Sequence, residues 1–282
     1  MKKIAIVGLG WLGMPLALSL LARGYRVAGT KTTPDGVEAA RMCGVECYPL
    51  VLTPEINAEQ DDLAALFQVD ALIITLPAGR TMERADDYLL AVQQVVDSAL
   101  AFAVPRIIFT SSTAVYGETA GLLREDSPLA PVTPAGACLV ELERWLHRLP
   151  NTSVDILRLA GLVGPSRHPG RFLAGKTGLP GGSHGVNLVH QSDVIAAIEL
   201  LLKLPKGGHI YNICAPRHPA KRDYYPARAR ELALTPPEYL ADEAGDGRAQ
   251  DSGKTIDGSR ICRELGFEYL YPDPALMPMR LS

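Results

Sequence analysis

Short apolar runs alternate along this chain with longer stretches whose apolar residues recur at helical spacing. Ile4–Val7 has the make-up of a strand buried on both faces, and Met14–Arg23 behind it has the period of a helix. Arg26–Gly29, Glu46–Leu50 and Ala71–Leu76 read as further strands, with helical composition at Pro34–Met42 and Glu59–Phe67 between them. Met82–Ala103 reads as a long helix, Arg106–Thr110 as a fifth strand, Ala137–Arg148 as a helix and Val154–Leu159 as a sixth strand. Parallel strands need crossover helices. The alternation therefore predicts an α/β fold, a Rossmann-type doubly wound parallel sheet.

The texture changes after Val163. Glycine and proline are dense from Gly164 to Gly185, which predicts an irregular excursion in place of another βα unit. A strand at Val186–His190, a helix at Ser192–Leu202 and a strand at His209–Cys214 follow. Beyond Pro216 only short helical stretches remain, at Asp223–Leu232 and Gly258–Leu265. We expect a core over residues 1–163, rejoined by 186–214, and a small C-terminal substrate-side region made of 164–185 and 215–282 that is not an independent domain.

Composition narrows the function. Of 282 residues 47% are hydrophobic and 21% charged, ordinary for a globular chain. A net charge of -3 without a Lys/Arg run offers no field for nucleic acid or an anionic membrane surface. The five cysteines include no Cys-x-x-Cys pair and the six histidines no His-Glu-x-x-His, so no metal site is expected and a reducing cytoplasm is. Lys2 and Lys3 before the apolar run to Ala22 have the outline of a signal peptide, but the glycines inside that run have a better explanation. No other apolar run approaches the ~20 residues that span a bilayer.

That explanation is Gly8-Leu9-Gly10-Trp11-Leu12-Gly13, a G-x-G-x-x-G between a strand and a helix. The first glycine permits the turn, the second lets a pyrophosphate approach the backbone, and the third lets helix pack on strand. The helix start then offers unpaired N–H groups to the phosphates. The adenosine ribose is read ~20 residues on, where NAD sites place an acid. Here stand Thr30, Lys31 and Thr32, with no carboxylate and one cation, which favours NADP over NAD. Thr75 and Leu76 at the end of the fourth strand with Pro77 behind them, Thr110 on the fifth, and more weakly Arg80 complete the cofactor candidates.

Thr110-Ser111-Ser112-Thr113-Ala114-Val115-Tyr116-Gly117 resembles the active-site strand of the extended short-chain dehydrogenase/reductases, the NAD-dependent epimerase/dehydratase group. The resemblance continues in Arg158-Leu159 to Gly164-Pro165 and Val189-His190-Gln191-Ser192-Asp193-Val194. Tyr211-Asn212-Ile213, Gly253-Lys254-Thr255 and Leu265-Gly266-Phe267 are similar to its atypical, YeeZ-like branch. It implies a hydroxyl contacting substrate at Ser112, with Ser111 and His190 on the substrate side, and it allows a homodimer. It also implies a Tyr-x-x-x-Lys on the next helix, where this chain has Ala135 and Leu139. Neither transfers a proton. Tyr116 is one candidate replacement, Tyr224 or Tyr225 another, and a substrate needing no side-chain acid the third.

Gly170-Arg171-Phe172-Leu173-Ala174-Gly175-Lys176-Thr177 spells a phosphate-binding G-x-x-x-x-G-K-[ST], but prolines before it and glycines after it predict that no helix starts at Lys176. We read it as a substrate-side loop, with Arg171 and Lys176 as anion contacts. Two functions stay open: an NAD(P)-dependent oxidoreductase or epimerase acting on a small polar, sugar-like or nucleotide-linked substrate, and a non-catalytic dinucleotide sensor. A β-hydroxyacid dehydrogenase would share the Gly-Leu-Gly-x-x-Gly start but needs an all-helical second domain, for which the Gly- and Pro-rich tail is unsuited.

Overall fold

The computed structural model describes residues 2–53, 55–78, 82–241 and 253–279. In chain order these form β1 (Lys3–Val7), α1 (Gly13–Ala22), β2 (Arg26–Lys31), α2 (Pro34–Met42), β3 (Glu46–Pro49), β4 (Val51–Leu52), β5 (Ile56–Asn57), α3 (Gln60–Phe67), β6 (Ala71–Ile74) and α4 (Met82–Ala101). There follow β7 (Arg106–Ser112), β8 (Gly121–Leu123), α5 (Pro134–Leu146), β9 (Ser153–Leu159), β10 (Gly161–Val163), β11 (Leu188–His190), α6 (Gln191–Lys203), β12 (Ile210–Ile213), α7 (Lys221–Glu231), β13 (Lys254–Ile256) and α8 (Arg260–Leu265).

One seven-stranded sheet runs in the order β12-β9-β7-β6-β1-β2-β3. The pairs β1–β2, β1–β6, β2–β3 and β6–β7 are parallel. The chain winds outward from β1 to β3, then crosses back to the other side of β1 and winds outward through β6, β7, β9 and β12. This is the doubly wound Rossmann sheet the alternation predicted. Its reversal between β1 and β6 is the topological switch point, where such sheets bind ligands beyond the carboxyl ends of their strands. Ile4, Ala5, Ile6 and Val7 of β1 and Leu72, Ile73 and Ile74 of β6 have no exposed surface, so both faces of these central strands are covered, as parallel sheets require.

Two helices begin with the same device. Thr33 caps α2 by accepting from Gly36 N–H at 3.2 Å, and Thr133 caps α5 by accepting from Gly136 N–H at 3.1 Å, with Pro34 and Pro134 in the first helical position. The Thr133-Pro134 pair starts α5 earlier than the Ala137 expected from periodicity, so Ala135 lies inside the helix. Strand β7 likewise runs past Thr110 to Ser112, which makes Ser111 and Ser112 strand residues with opposite facings.

The chain packs as two compact units. The first holds Met1–Val115, Pro131–Arg158 and Ile195–Ile210; the second holds Tyr116–Ala130, Leu159–Val194 and Tyr211–Ser282. Within the second unit β8, in Tyr116–Ala130, pairs in parallel with β13. Periodicity could not reveal that pairing between two three-residue strands so far apart in the chain. In the same unit β10 pairs with β11, and Val163, Val186, Leu188, Ala215, Tyr224 and Met277 form an apolar cluster. No helix among the described residues is long and apolar enough to cross a membrane.

Candidate dinucleotide site and the altered catalytic helix

The turn after β1 is built as its three glycines require. Gly8 has φ +102°, a conformation that side chains rarely adopt. A Cβ at Gly13 would lie 2.1 Å from the Gly8 carbonyl oxygen, so helix and strand could not approach as they do. A Cβ at Gly10 would meet no protein atom within 4 Å. Gly10 is thus the one glycine of the three that packing of the chain does not explain; a side chain there would intrude only on something bound outside the turn. Leu12 precedes α1 without giving a side-chain cap, and the first helical turn carries no acid. The helix start is left for an external anion. These features fit a pyrophosphate, and the amides at the start of α1 are the groups that would hold it, since those of Gly8, Leu9 and Gly10 donate within the turn.

Neighbouring strands brace this turn. Gly8 N–H donates to Thr30 Oγ1 at 3.1 Å, Leu9 N–H donates to the Thr30 carbonyl at 3.1 Å, and Thr75 Oγ1 donates to the Gly8 carbonyl at 2.7 Å. Thr30 and Thr75, nominated as cofactor contacts, are therefore struts of the turn. Leu9 and Leu12 point inward, at 1% and 7% exposure, and bring no side chain to a ligand. Leu9 owes its place to Gly29, where a Cβ would fall 2.6 Å from Leu9 Cδ1. The sequence reading missed this fourth glycine, because its reason is a contact across two strands. Gly10 and Pro77 are exposed and Trp11, Lys31 and Leu76 half-buried. Thr32 is exposed; Arg80 lies outside the described residues.

At the end of β7 the two serines part. Ser111 is buried and its hydroxyl donates to Glu143 Oε1 at 2.5 Å. Glu143 in turn receives Arg158, at 2.7 Å to Oε2, with both side chains almost fully enclosed. Ser111 is thereby corrected from a substrate contact to a member of a buried network. Its facing on the strand decides this. Ser112 is half-buried and its Oγ accepts from Ala114 N–H at 3.1 Å; Thr110 Oγ1 donates to the Ile74 carbonyl at 3.0 Å. Glu143 was legible in principle: an acid flanked by Leu139, Leu142 and Leu146 on the apolar face of α5 needs a partner, and Arg158 sits inside an apolar strand.

The first turn of α5 abuts this segment. A Cβ at Gly136 would lie 2.9 Å from the Ala114 carbonyl oxygen, so Ala135 and Gly136 stand beside Ser112–Ala114. Where a Tyr-x-x-x-Lys would project, Ala135 is half-buried and Leu139 is 3% exposed in the core. Tyr116 does not take over. It has no exposed surface, and its hydroxyl donates to Asn212 Oδ1 at 2.8 Å. Its hydroxyl, nominated as a candidate acid, is here enclosed and bonded as a core tyrosine's would be.

The substrate-side candidates lie in the second unit. His190 is buried; its Nδ1 accepts from Ser192 N–H at 3.2 Å, so Nε2 carries the proton toward the Pro278 carbonyl at 2.8 Å. Burial pushes its pKa below the usual value, and both ring nitrogens are occupied. His190 thus secures backbone, a correction to its nomination. Three residues on, Asp193 accepts from Leu270 N–H at 2.6 Å, and burial raises its pKa to about 6. Arg171 and Lys176 are exposed. No helix opens at Lys176, and a Cβ at Gly170 would strike the Arg228 carbonyl oxygen at 2.2 Å, so the phosphate-loop spelling is a packing loop against α7. Tyr224 is buried and Tyr225 half-buried, and burial raises both phenolic pKa values.

A doubly wound sheet with a braced glycine turn and an uncapped helix start at its switch point defines a dinucleotide-binding α/β protein. The profile described as NAD dependent epimerase/dehydratase family matches residues 4–214. The chain belongs to that family, whose cofactor class is NAD. It is 64% identical over 279 residues to Protein YeeZ of Escherichia coli (strain K12), an alignment covering 99% of this chain and 100% of that one. The fold is similar to a short-chain dehydrogenase/reductase superfamily protein from Agrobacterium tumefaciens with bound NAD, at TM-score 0.74 and 20% identity over 95% of this chain and 93% of that one. It is similar also to the UDP-glucose 4-epimerase of Thermotoga maritima with UDP-glucose, at TM-score 0.74 and 18% identity over 95% and 94%. At such identities the likeness to solved structures is one of fold.

Proposed function

We propose that the protein is an NAD(P)-binding, epimerase-like protein that prefers NADP and acts on a small polar substrate of sugar-nucleotide type. The observation that carries this reading is Gly10, a residue whose missing side chain serves no contact within the protein. The turn from Gly8 to Gly13 holds the pyrophosphate by the amides at the start of α1, with Leu76, Pro77 and Thr110 as flanking candidates and Thr30 and Thr75 supporting the turn from behind. Lys31 ends β2 and, with Thr32, faces the adenosine ribose; its ammonium favours a 2′-phosphate. A bound nicotinamide supplies reversible hydride acceptance. Ser112 orients the substrate by its hydroxyl, and the proton released on hydride transfer passes to water without a side-chain base, since Ala135 and Leu139 cannot take it. The sugar-nucleotide class rests on what similar folds are described as binding. A cytoplasmic location is supported by five cysteines that are all unpaired.

The committed hydroxyl of Tyr116 and the Ala135–Leu139 pair favour a second reading, a dinucleotide-sensing module without turnover. One experiment separates them. Titrating the protein with NADPH and NADH while following nicotinamide fluorescence, then assaying UDP-sugars with wild type and Ser112→Ala, should give tighter NADPH binding and turnover reduced about tenfold to a thousandfold in the variant. Binding without turnover on any polar substrate leaves the sensor, and no binding of either coenzyme sinks both.

A further inference from the structure

In the second unit a lysine stands half-buried without a carboxylate to meet it. Lys254 begins β13, which pairs in parallel with β8. Asn187 fixes the strand at this point: its amide nitrogen donates to the Lys254 carbonyl at 2.9 Å, and its side-chain oxygen accepts from Ile256 N–H at 2.8 Å. His184 packs against Gly253, where a Cβ would fall 2.6 Å from its Cγ. From this braced backbone the Lys254 ammonium reaches the Gly117 carbonyl and donates to it at 2.7 Å. An ammonium carries three donors. Among the described residues no carboxylate comes within ion-pairing reach of it.

The charges around it leave an excess of one sign. Burial holds the Lys254 ammonium below its usual pKa; the exposed Glu118 pulls it back up, and Lys221 at the start of α7 pushes it down again. Lys221 makes no ion pair among the described residues either. Two ammonium groups thus repel each other, with one solvent-exposed carboxylate against them. A half-buried cation without a counter-ion costs free energy, and an arriving anion offsets that cost. The position along the chain says where on a substrate that anion sits. Gly117, which receives Lys254, closes the Thr110–Gly117 segment and lies five residues beyond Ser112, whose hydroxyl is assigned to the reacting part of the substrate.

Resting on the sugar-nucleotide reading above, we infer that Lys254, supported by the charge of Lys221, binds a carboxylate on the sugar of the substrate, so that the protein selects an acidic sugar of uronic-acid type over a neutral one. A neutral hexose offers a hydroxymethyl group in place of that carboxylate. It accepts a hydrogen bond but leaves both cations without a counter-charge.

The test measures binding of UDP-glucuronic acid and UDP-glucose by calorimetry, with NADPH present, on wild type, Lys254→Met and Lys254→Arg. The two ligands differ only in a carboxylate against a hydroxymethyl group, so the ratio of their affinities is blind to contacts with base and diphosphate. Wild type should bind UDP-glucuronic acid about tenfold to a hundredfold more tightly, the worth of one hydrogen bond to a charged group. Lys254→Met removes the charge from a side chain of similar length, and the ratio should fall to within about threefold, while Lys254→Arg should keep a preference above about threefold. Melting temperatures without ligand check folding. Should Lys254→Met not fold, Lys221→Met, which leaves the Gly117 contact in place, should lower the ratio about threefold, and an unchanged ratio there overturns the inference. A wild-type ratio near one, an undiminished ratio in Lys254→Met, or equal loss of both ligands in that variant overturns the acidic-sugar assignment and leaves the sugar-nucleotide reading standing. Failure of wild type to bind either ligand overturns that reading instead, and this inference with it.

Discussion

The glycine turn after β1 and the first turns of α5 both belong to the first unit, yet one keeps every feature its chemistry needs and the other has lost its own. At the turn, Gly8 and Gly13 have geometric reasons inside the chain, and Gly10, with open space where its Cβ would be, has none there. On α5 the positions for a phenol and an ammonium hold a methyl group and a buried leucine, while the next turn invests a glutamate in an ion pair that faces no substrate. Holding a coenzyme and moving a proton are separable demands. The first is met by backbone shape, which only glycine permits; the second needs two particular side chains, which substitution removes without harm to the fold.

That contrast can be broken most forcefully on α5. Glu143→Ala should destabilise the protein by about 3–5 kcal/mol, because it strands Arg158 in the interior without its carboxylate. Urea unfolding measures this, and a loss below about 1 kcal/mol would mean that the network does not stiffen the helix. Between the two glycines the contrast is sharper. Gly13→Ala forces its Cβ against the Gly8 carbonyl and should cost about 3 kcal/mol of stability. Gly10→Ala should leave stability within about 1 kcal/mol and weaken NADPH binding at least tenfold; equal losses of stability in both would end the distinction between internal and external reasons. The smallest effect is expected at the edge of the site. Lys31→Glu should shift the NADPH-to-NADH affinity ratio about tenfold toward NADH, worth about 1.4 kcal/mol, read by the same fluorescence titration.

Most of the sheet was legible because its strands announce themselves locally. Ile4–Val7 and Ala71–Ile74 are uninterrupted apolar runs, and only strands covered on both faces tolerate them. The hairpin of β4 and β5 and the pairing of β8 with β13 were missed, since two- and three-residue strands carry no period. The site was legible in the same uneven way. The glycine turn itself, with Gly8 at positive φ and Gly13 against the strand, followed from the motif. The inward turn of Ser111 followed only once β7 was known to run to Ser112, and the commitment of Tyr116 to Asn212 joins residues 96 apart in sequence.

Spacing and side-chain chemistry, then, were enough for the sheet, for the glycine turn and for the absence of the Tyr-x-x-x-Lys pair, because each is written in residues a few positions apart. Folding alone decided which hydroxyls remain available. Ser111 and Tyr116 lose theirs to Glu143 and Asn212, and Thr30 and Thr75 spend theirs holding the turn. The reason is that a polar group buried in the interior must find its partner there, and that partner comes from distant parts of the chain that no local pattern encodes.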